Sequence, residues 1–227
     1  MLDDDDITLI TVPGWGNSGP RHWQTIWEHG YPLSARVEQE NWLYPERDAW
    51  VAAMEKTVEQ VPGRVVIAAH SPGCHTAIEW LLTLSLVQQG KVQGMLLVAP
   101  PALPITPQQM RASGELPADA ALPSFAGFGG AREQRLPVRT ILVASQDDPF
   151  CPFDEAQRLA AIWGTRLVDA STRRATWAAG QPRSVAGWAK VDTAADAGLT
   201  PTTIQQVGRT RHGPPEPWRP VITSAVV

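Results

Sequence analysis

Four short apolar runs rich in β-branched residues constrain the fold of this chain more than any other feature. They span residues 7–12, 64–69, 92–100 and 140–145, and a proline ends or follows each run within four residues. Such runs are typical of buried strands. Helical segments between them, among them 48–60, 72–87 and 153–163, give a strand–helix alternation. The pattern predicts an α/β fold with a parallel sheet between helices on both faces.

The composition of the 227 residues is that of a globular protein, with 43% hydrophobic and 19% charged residues. A net charge of −4 argues against nucleic-acid binding. No apolar run is long enough to cross a membrane, and the acidic start MLDDDDITLI is unlike a signal peptide. We therefore expect a cytoplasmic protein without nucleic-acid or membrane partners.

The last quarter of the chain differs from the rest. Residues 1–170 carry 12 Lys+Arg and 20 Asp+Glu, whereas residues 171–227 carry seven and three and only nine Leu, Ile, Val or Phe. That apolar content is below the level expected of a segment that builds its own core. We predict one domain over 1–170 and an irregular tail over 171–227.

The segment Ala69-His70-Ser71-Pro72-Gly73 contains the strongest candidate for a catalytic residue. It lies between a predicted strand and a predicted helix, which is the setting of a nucleophile elbow, usually Gly-x-Ser-x-Gly. Small residues flank the serine in such turns because the helix backbone passes close by. The motif favours Ser71 as a nucleophile over a simple helix cap.

An acidic partner and an oxyanion hole are also predicted at strand ends. Asp147 and Asp148 follow the strand at 140–145, and ligands gather at the carboxyl ends of parallel strands. We favour Asp148, although either carboxylate is equally consistent with a solvated turn. Backbone N–H groups near Trp15, in the loop after the first strand, are the candidate oxyanion donors; a simple turn at Gly14 and Gly16 is the alternative.

Two further segments are predicted less sharply. In the first helix, Asn17 or Ser18 is expected to be the cap, Pro20 to lie in the first turn, and Trp23, Ile26 and Trp27 to share the buried face. The proline-rich insert 100–139 has no clear periodicity. It is predicted to be either a lid or binding loop, or an unstructured surface loop.

With these motifs the chain resembles small serine hydrolases of the YdeN and retinoblastoma-binding-protein-nine type, in the α/β-hydrolase superfamily. The matching stretches are VPGWGNSGPRHWQTIWE, VEQENW to RDAWV, VVIAAHSPGC, GMLLVAPP and LVASQDDPFCPFDEAQRLAAIWGTRLVDA. The resemblance implies a three-layer α/β/α fold with a minimal cap, a Ser-His-Asp triad and no cofactor. It also implies hydrolysis of carboxylic esters or related small acyl substrates.

The chain departs from that family pattern at two positions. Pro72 occupies the place after the nucleophile whose N–H normally completes the oxyanion hole, and proline has no N–H. The family places a Gly-His pair about 25–30 residues after the acid, where this chain reads STRRATWAAG. The one histidine after Asp148 is His212, which becomes the candidate base. The alternative is a catalytically impaired hydrolase scaffold that binds ligands or proteins.

The missing Gly-His pair suggests a hypothesis about the tail. A one-base shift in the codons for Arg174–Trp177 permits Gly-His-Leu at the expected place, so residues from about 171 onward are interpreted as an out-of-frame product. In the family, a last helix after the histidine covers one face of the sheet. Without it, exposed apolar surface would favour self-association.

The remaining motifs predict no cofactor and no metal. Cys74 and Cys151 lie beside the serine and aspartate motifs, but they are interpreted as small buried hydrophobic residues rather than nucleophiles. No spacing of His, Cys and Asp is typical of a metal site, and GWGNSG lacks the pattern of a dinucleotide-binding loop.

Overall fold

The fold is built on one six-stranded sheet, seen in a computed structural model that describes residues 7–130 and 133–171. All of the strands run parallel, in the order β2-β1-β3-β4-β5-β6. They are β1 Ile7–Val12, β2 Ser34–Arg36, β3 Arg64–His70, β4 Val92–Val98, β5 Thr140–Ala144 and β6 Arg166–Asp169. The predictions for His212 and for the rest of the tail beyond Ser171 lie outside the described residues.

The strand order reverses between β1 and β3. Strand β2 pairs with one edge of β1, and the chain then returns so that β3 pairs with the other edge of β1. In the second pairing, Val12 lies opposite Ala69. The helices that follow β1 and β3 therefore pack on opposite faces of the sheet. Such a switch point opens a crevice at the carboxyl ends of the strands, where α/β proteins bind their ligands.

Helices cover both faces of the sheet, as the sequence predicts. They are α1 Trp23–Gly30, α2 Arg47–Glu59, α3 Pro72–Thr83, α4 Leu86–Gln89, α5 Pro107–Ala112 and α6 Phe153–Trp163. Met54 of α2, Leu81 of α3 and Leu159 of α6 belong to the larger apolar cluster, whereas Trp23 and Trp27 of α1 belong to a separate cluster. The three-layer α/β/α fold is confirmed. Among the described helices, none has the length and apolar character needed to span a membrane.

Helix α1 differs from its prediction in both its start and its buried face. His22, not Asn17 or Ser18, is the cap, and its Nδ1 accepts a hydrogen bond from the N–H of Gln24 (3.3 Å). Ile26 is 48% exposed, whereas Gln24 and Thr25 are buried with the two tryptophans. Hydrophobic periodicity missed this face because buried polar groups here find partners on the loop and strands below.

The helix predicted over 72–87 divides into two. Helix α3 ends at Thr83, and Ser85 begins a separate short helix by forming a capping box with Gln88. The prediction that the helix continues to residue 87 is wrong, because Ser85 caps a new helix instead. Leu86 and Val87 of that short helix lie on the surface.

The described part of the insert 100–139 packs against the domain. It contributes α5 and a set of apolar side chains that form a third buried cluster with Trp15 and Trp50. The insert members of this cluster are Leu103, Ile105, Met110, Phe125 and Phe128. This part of the insert is thus a small apolar cap over the loop after β1, rather than an unstructured surface loop.

Candidate active site

Ser71 occupies a sharp turn between β3 and α3. Its backbone has φ 53° and ψ −134°, a left-handed conformation that side chains other than glycine rarely adopt. The Ser71 N–H donates to the carbonyl of Val98 at the end of β4 (2.9 Å), and its carbonyl accepts from the N–H of Cys74 (2.9 Å). Among the described residues, nothing hydrogen-bonds the Ser71 hydroxyl. The turn therefore presents a serine hydroxyl at the carboxyl edge of the sheet.

Two glycines let the loop after β1 touch this turn. A β-carbon on Gly14 would lie 2.7 Å from the Cβ of Ser71 and 2.9 Å from the carbonyl oxygen of His70. One on Gly73 would lie 2.4 Å from the carbonyl oxygen of Pro13 and 2.5 Å from that of Val12. Any side chain at either position would push the two loops apart. Gly73, the glycine of the serine motif, is thus required by this contact.

Trp15 follows Gly14 in the same loop, and contacts of its side chain hold it in place. Its indole N–H donates to the carbonyl of Leu43 (2.9 Å), and its ring packs edge-on against Phe125, with ring centroids 5.6 Å apart. Its backbone N–H makes no hydrogen bond to any described residue. Trp15 therefore has a backbone N–H without a described partner, one residue after the glycine that contacts Ser71.

Pro72 occupies the position predicted for a second oxyanion donor. This residue begins α3 and has no N–H, as the sequence indicates. The next residue, Gly73, has a backbone N–H without a partner among the described residues. The start of α3 therefore offers one donor, displaced by one residue from the usual place.

Asp148 lies in the turn after β5, at the same edge of the sheet as Ser71 but with β4 between their two strands. Burial raises the pKa of its carboxyl group to about 6, although hydrogen bonds from the N–H groups of Phe150 (2.8 Å) and Cys151 oppose the rise. Asp147 is exposed and accepts a hydrogen bond from the Ser145 hydroxyl (2.5 Å). Its greater burial favours Asp148 as the orienting acid.

The described histidines do not join Ser71 to Asp148. His75 is buried in α3 and bonds the carbonyl of Pro101 (2.9 Å). His22 and His70 pack against each other with ring centroids 4.7 Å apart. Burial lowers the pKa of His70 to about 4. The pKa of His22 is lowered to about 2, mainly by burial and further by the positive charges of His70 and Arg36. Both rings are therefore neutral at pH 7.

The cysteines beside the site are buried, as predicted. Burial raises the pKa of the Cys74 thiol, and raises that of Cys151 to about 12. Neither thiol is a thiolate at neutral pH, so neither is suited to attack a substrate. In the ranges 7–130 and 133–171, no three His, Cys, Asp or Glu side chains lie together as a metal site would need.

Sequence reasoning missed the polar groups beneath the site. Gln24 is buried and Glu28 and Arg36 are part-buried; Arg36 bonds Glu28, and both Gln24 and Arg36 bond Ser18 at the end of the loop after β1. Their signal in the sequence is weak, because single polar residues between tryptophans look like the exposed side of a helix.

Comparison with known proteins relates this fold to hydrolases. A YdeN-like hydrolase from Pectobacterium atrosepticum has a similar structure, with 23% identity, 89% of each chain covered and a TM-score of 0.59. A lipase-esterase related protein from Clostridium acetobutylicum is 8% identical over 90% of this chain and 96% of its own, with a TM-score of 0.56. The mouse α/β hydrolase domain-containing protein 10 is 13% identical over 88% of both chains, with a TM-score of 0.55.

Sequence comparison assigns the family. No curated protein matches the chain. The sequence model of the family described as serine hydrolase matches residues 9–175, which include Ser71, Asp148 and the loop of Trp15. The resemblance to YdeN-like serine hydrolases is thereby confirmed, and this chain belongs to the serine hydrolase family.

Proposed function

We propose that this enzyme hydrolyses carboxylic esters or related small acyl substrates, with Ser71 as the nucleophile. The observation that carries the proposal is the contact between Gly14 and Ser71 in its strained turn, because the residue after Gly14 is Trp15, whose backbone N–H has no partner among the described residues. A nucleophile next to a fixed donor is the arrangement that acyl transfer needs.

In the proposed reaction, the Ser71 hydroxyl oxygen attacks the acyl carbon while its proton passes to a histidine. Negative charge on the carbonyl oxygen is stabilised by the N–H groups of Trp15 and Gly73. The histidine then protonates the leaving alcohol, and the acyl-enzyme forms. A water molecule repeats the sequence, releases the acid and restores Ser71. Asp148 holds the histidine in the correct tautomer.

We assign the histidine to His212 on sequence alone. It is the one histidine after Asp148, and the chain order Ser-Asp-His is that of α/β hydrolases. Losing the base costs about as much as losing the whole triad, on the order of 10⁶ in kcat. Activity of this chain therefore depends on whether His212 reaches Ser71.

A second candidate is a hydrolase scaffold that binds ligands or proteins without turnover. It is favoured by one observation, that no described histidine hydrogen-bonds the Ser71 hydroxyl or the Asp148 carboxyl group. The proposal that residues from about 171 onward are out of frame would explain the missing partner. The end of the family match at residue 175 supports this proposal. Reading the gene across codons 165–180 tests it, and the absence of a Gly-His pair from the shifted frame would overturn it.

Hydrolysis of p-nitrophenyl acetate, butyrate and octanoate distinguishes the two functions. The first predicts turnover by the wild-type chain, none by Ser71→Ala, and a loss of at least about 10⁴-fold in kcat for Asp148→Asn, which leaves the base without its acid. Ligand binding without turnover, unchanged by Ser71→Ala, would support the scaffold instead. The preferred ester length would also report the size of the acyl site.

A further inference from the structure

Gln24 is a buried polar side chain that contacts both strands of the switch point. It is 0% exposed, and its amide Nε2 donates to the carbonyl of Val12 at the end of β1 (3.0 Å) and to that of Ala68 in β3 (2.9 Å). Its amide Oε1 accepts a hydrogen bond from the Ser18 hydroxyl (2.6 Å). Every hydrogen-bonding group of the amide therefore has a partner, as a buried amide requires.

Two of these three partners lie at the ends of the loop that carries Trp15. Val12 immediately precedes the loop 13–17, and Ser18 immediately follows it. Both are bonded to the same Gln24 side chain. The third partner, Ala68, lies three residues before Ser71 in β3. One amide group thus links the loop of the candidate oxyanion donor to the strand of the candidate nucleophile.

Arg36 supports the same arrangement from the side of β2. Its Nη1 donates to the Asn17 side-chain oxygen (3.1 Å) and to the carbonyl of Ser18 (3.0 Å). Its other nitrogens bond Glu28 and Thr25 of α1. Asn17 has φ 68°, a left-handed conformation that these bonds help to hold. The far end of the loop is consequently fixed to α1 and to β2 at once.

We infer that Gln24 is a positioning residue for the proposed hydrolysis, because it sets the distance between the Trp15 N–H and Ser71. This inference rests on the proposed function. Gln24 bonds neither Trp15 nor Ser71, so it acts through the loop and the strand. A donor or nucleophile displaced by about 1 Å can cost about 10²-fold in rate. A glutamine that only fills the core would affect stability without this specific effect.

Gln24→Met tests the inference, since methionine has a similar length and no hydrogen-bonding group at its end. Gln39→Met is the matched control: Gln39 is 7% exposed, and its Nε2 bonds the carbonyl of Trp50 in α2 (3.5 Å). We expect Gln24→Met to lower kcat for a p-nitrophenyl ester by about 10- to 100-fold with KM changed less than about threefold. Gln39→Met is expected to leave kcat within about threefold of the wild type.

Amide hydrogen exchange provides a readout that does not need activity. In Gln24→Met, we expect peptides covering 13–18 to exchange about tenfold faster, with little change in peptides covering β4. The inference would be overturned if Gln24→Met left kcat unchanged and if exchange rose equally in the peptides covering 13–18 and β4, or in neither. If the wild-type chain hydrolyses no ester, the proposed function fails. The exchange comparison then still decides whether Gln24 holds the loop.

A milder variant guards against misfolding. Ser18→Ala removes only the bond from the Ser18 hydroxyl to Gln24 and leaves the two strand carbonyls paired. We expect a smaller change in the same direction, with kcat lowered several-fold and faster exchange limited to 13–18. Wild-type exchange and kcat in a folded Ser18→Ala protein would count against the inference.

Discussion

Gly14 packs against Ser71 so closely that a β-carbon at residue 14 would lie 2.7 Å from the Cβ of the serine. Two loops from strands on either side of the switch point meet in this contact. It places the loop that contains the Trp15 N–H against the turn that carries the Ser71 hydroxyl.

Gly14→Ala is expected to separate the two loops. The new methyl group would also meet the backbone carbonyl of His70 at 2.9 Å, so a backbone shift is unavoidable. We expect about 1–3 kcal/mol less stability to unfolding by urea and at least about 10²-fold slower ester hydrolysis. Gly19→Ala is the control, because a methyl group at residue 19 would meet no other atom within 4 Å. Equal effects of both variants would contradict the account.

Ser71→Gly and Ser71→Ala are expected to differ in stability. Both remove the hydroxyl, but only glycine adopts φ 53° and ψ −134° without strain. We therefore expect the glycine variant to be more stable than the alanine variant by about 1–2 kcal/mol in urea denaturation. An alanine variant of equal or higher stability would show that the turn is not strained.

Pro72→Ala is expected to improve the oxyanion hole by restoring an N–H at the residue after Ser71. One such donor is worth on the order of 10²–10³ in rate, so we expect kcat for ester hydrolysis to rise about 10- to 100-fold. Pro107→Ala is the matched control, since Pro107 also begins a helix. A fall in kcat for Pro72→Ala, or no change, would contradict this expectation and show that an N–H at residue 72 adds nothing to those of Trp15 and Gly73.

Acid is expected to destabilise the fold through His22 and His70. Their folded-state pKa values are lowered to about 2 and about 4, so the unfolded chain takes up protons below about pH 6.5 while the folded rings stay neutral. Stability is therefore lost as the pH falls from 6.5 towards 4. Asp148 acts oppositely, since its pKa is raised to about 6 and its protonation below that pH favours the folded state.

Comparison of the wild type with His70→Asn separates these contributions. Between pH 7 and pH 4.5, we expect the wild type to lose about 1–2 kcal/mol more unfolding free energy than the variant. Urea denaturation at both pH values measures this difference. An equal or greater loss in the variant would show that His70 is not held neutral.

The sequence predicts the elements of this fold better than it predicts their contacts. The β-branched run before His70, followed by Ser71, Pro72 and Gly73, is enough to indicate a strand, a turn and a helix. The periodicity of α1 misleads because Gln24 is buried by bonds to Val12 and Ala68, which are distant in sequence. No local pattern encodes such partners.

For the candidate site, too, the sequence predicts the positions along the chain better than the contacts. Asp148 is predicted because it follows a strand whose end faces the same edge of the sheet as Ser71. The sequence analysis favours Asp148 over Asp147, and the greater burial of Asp148, which the sequence does not indicate, supports that choice. The base is the least determined member, since His212 lies outside the described residues and is assigned only by chain order.

Labelling with a fluorophosphonate, followed by intact mass, tests the central claim most directly. We predict one adduct on the folded wild-type chain, none on Ser71→Ala, and labelling slowed by at least about 10²-fold in His212→Ala, since the base activates the serine. Circular dichroism confirms that each protein is folded. Equal labelling of His212→Ala and the wild type would contradict the assignment of the base. A folded wild-type chain that takes up no label would contradict the proposal that Ser71 is a working nucleophile.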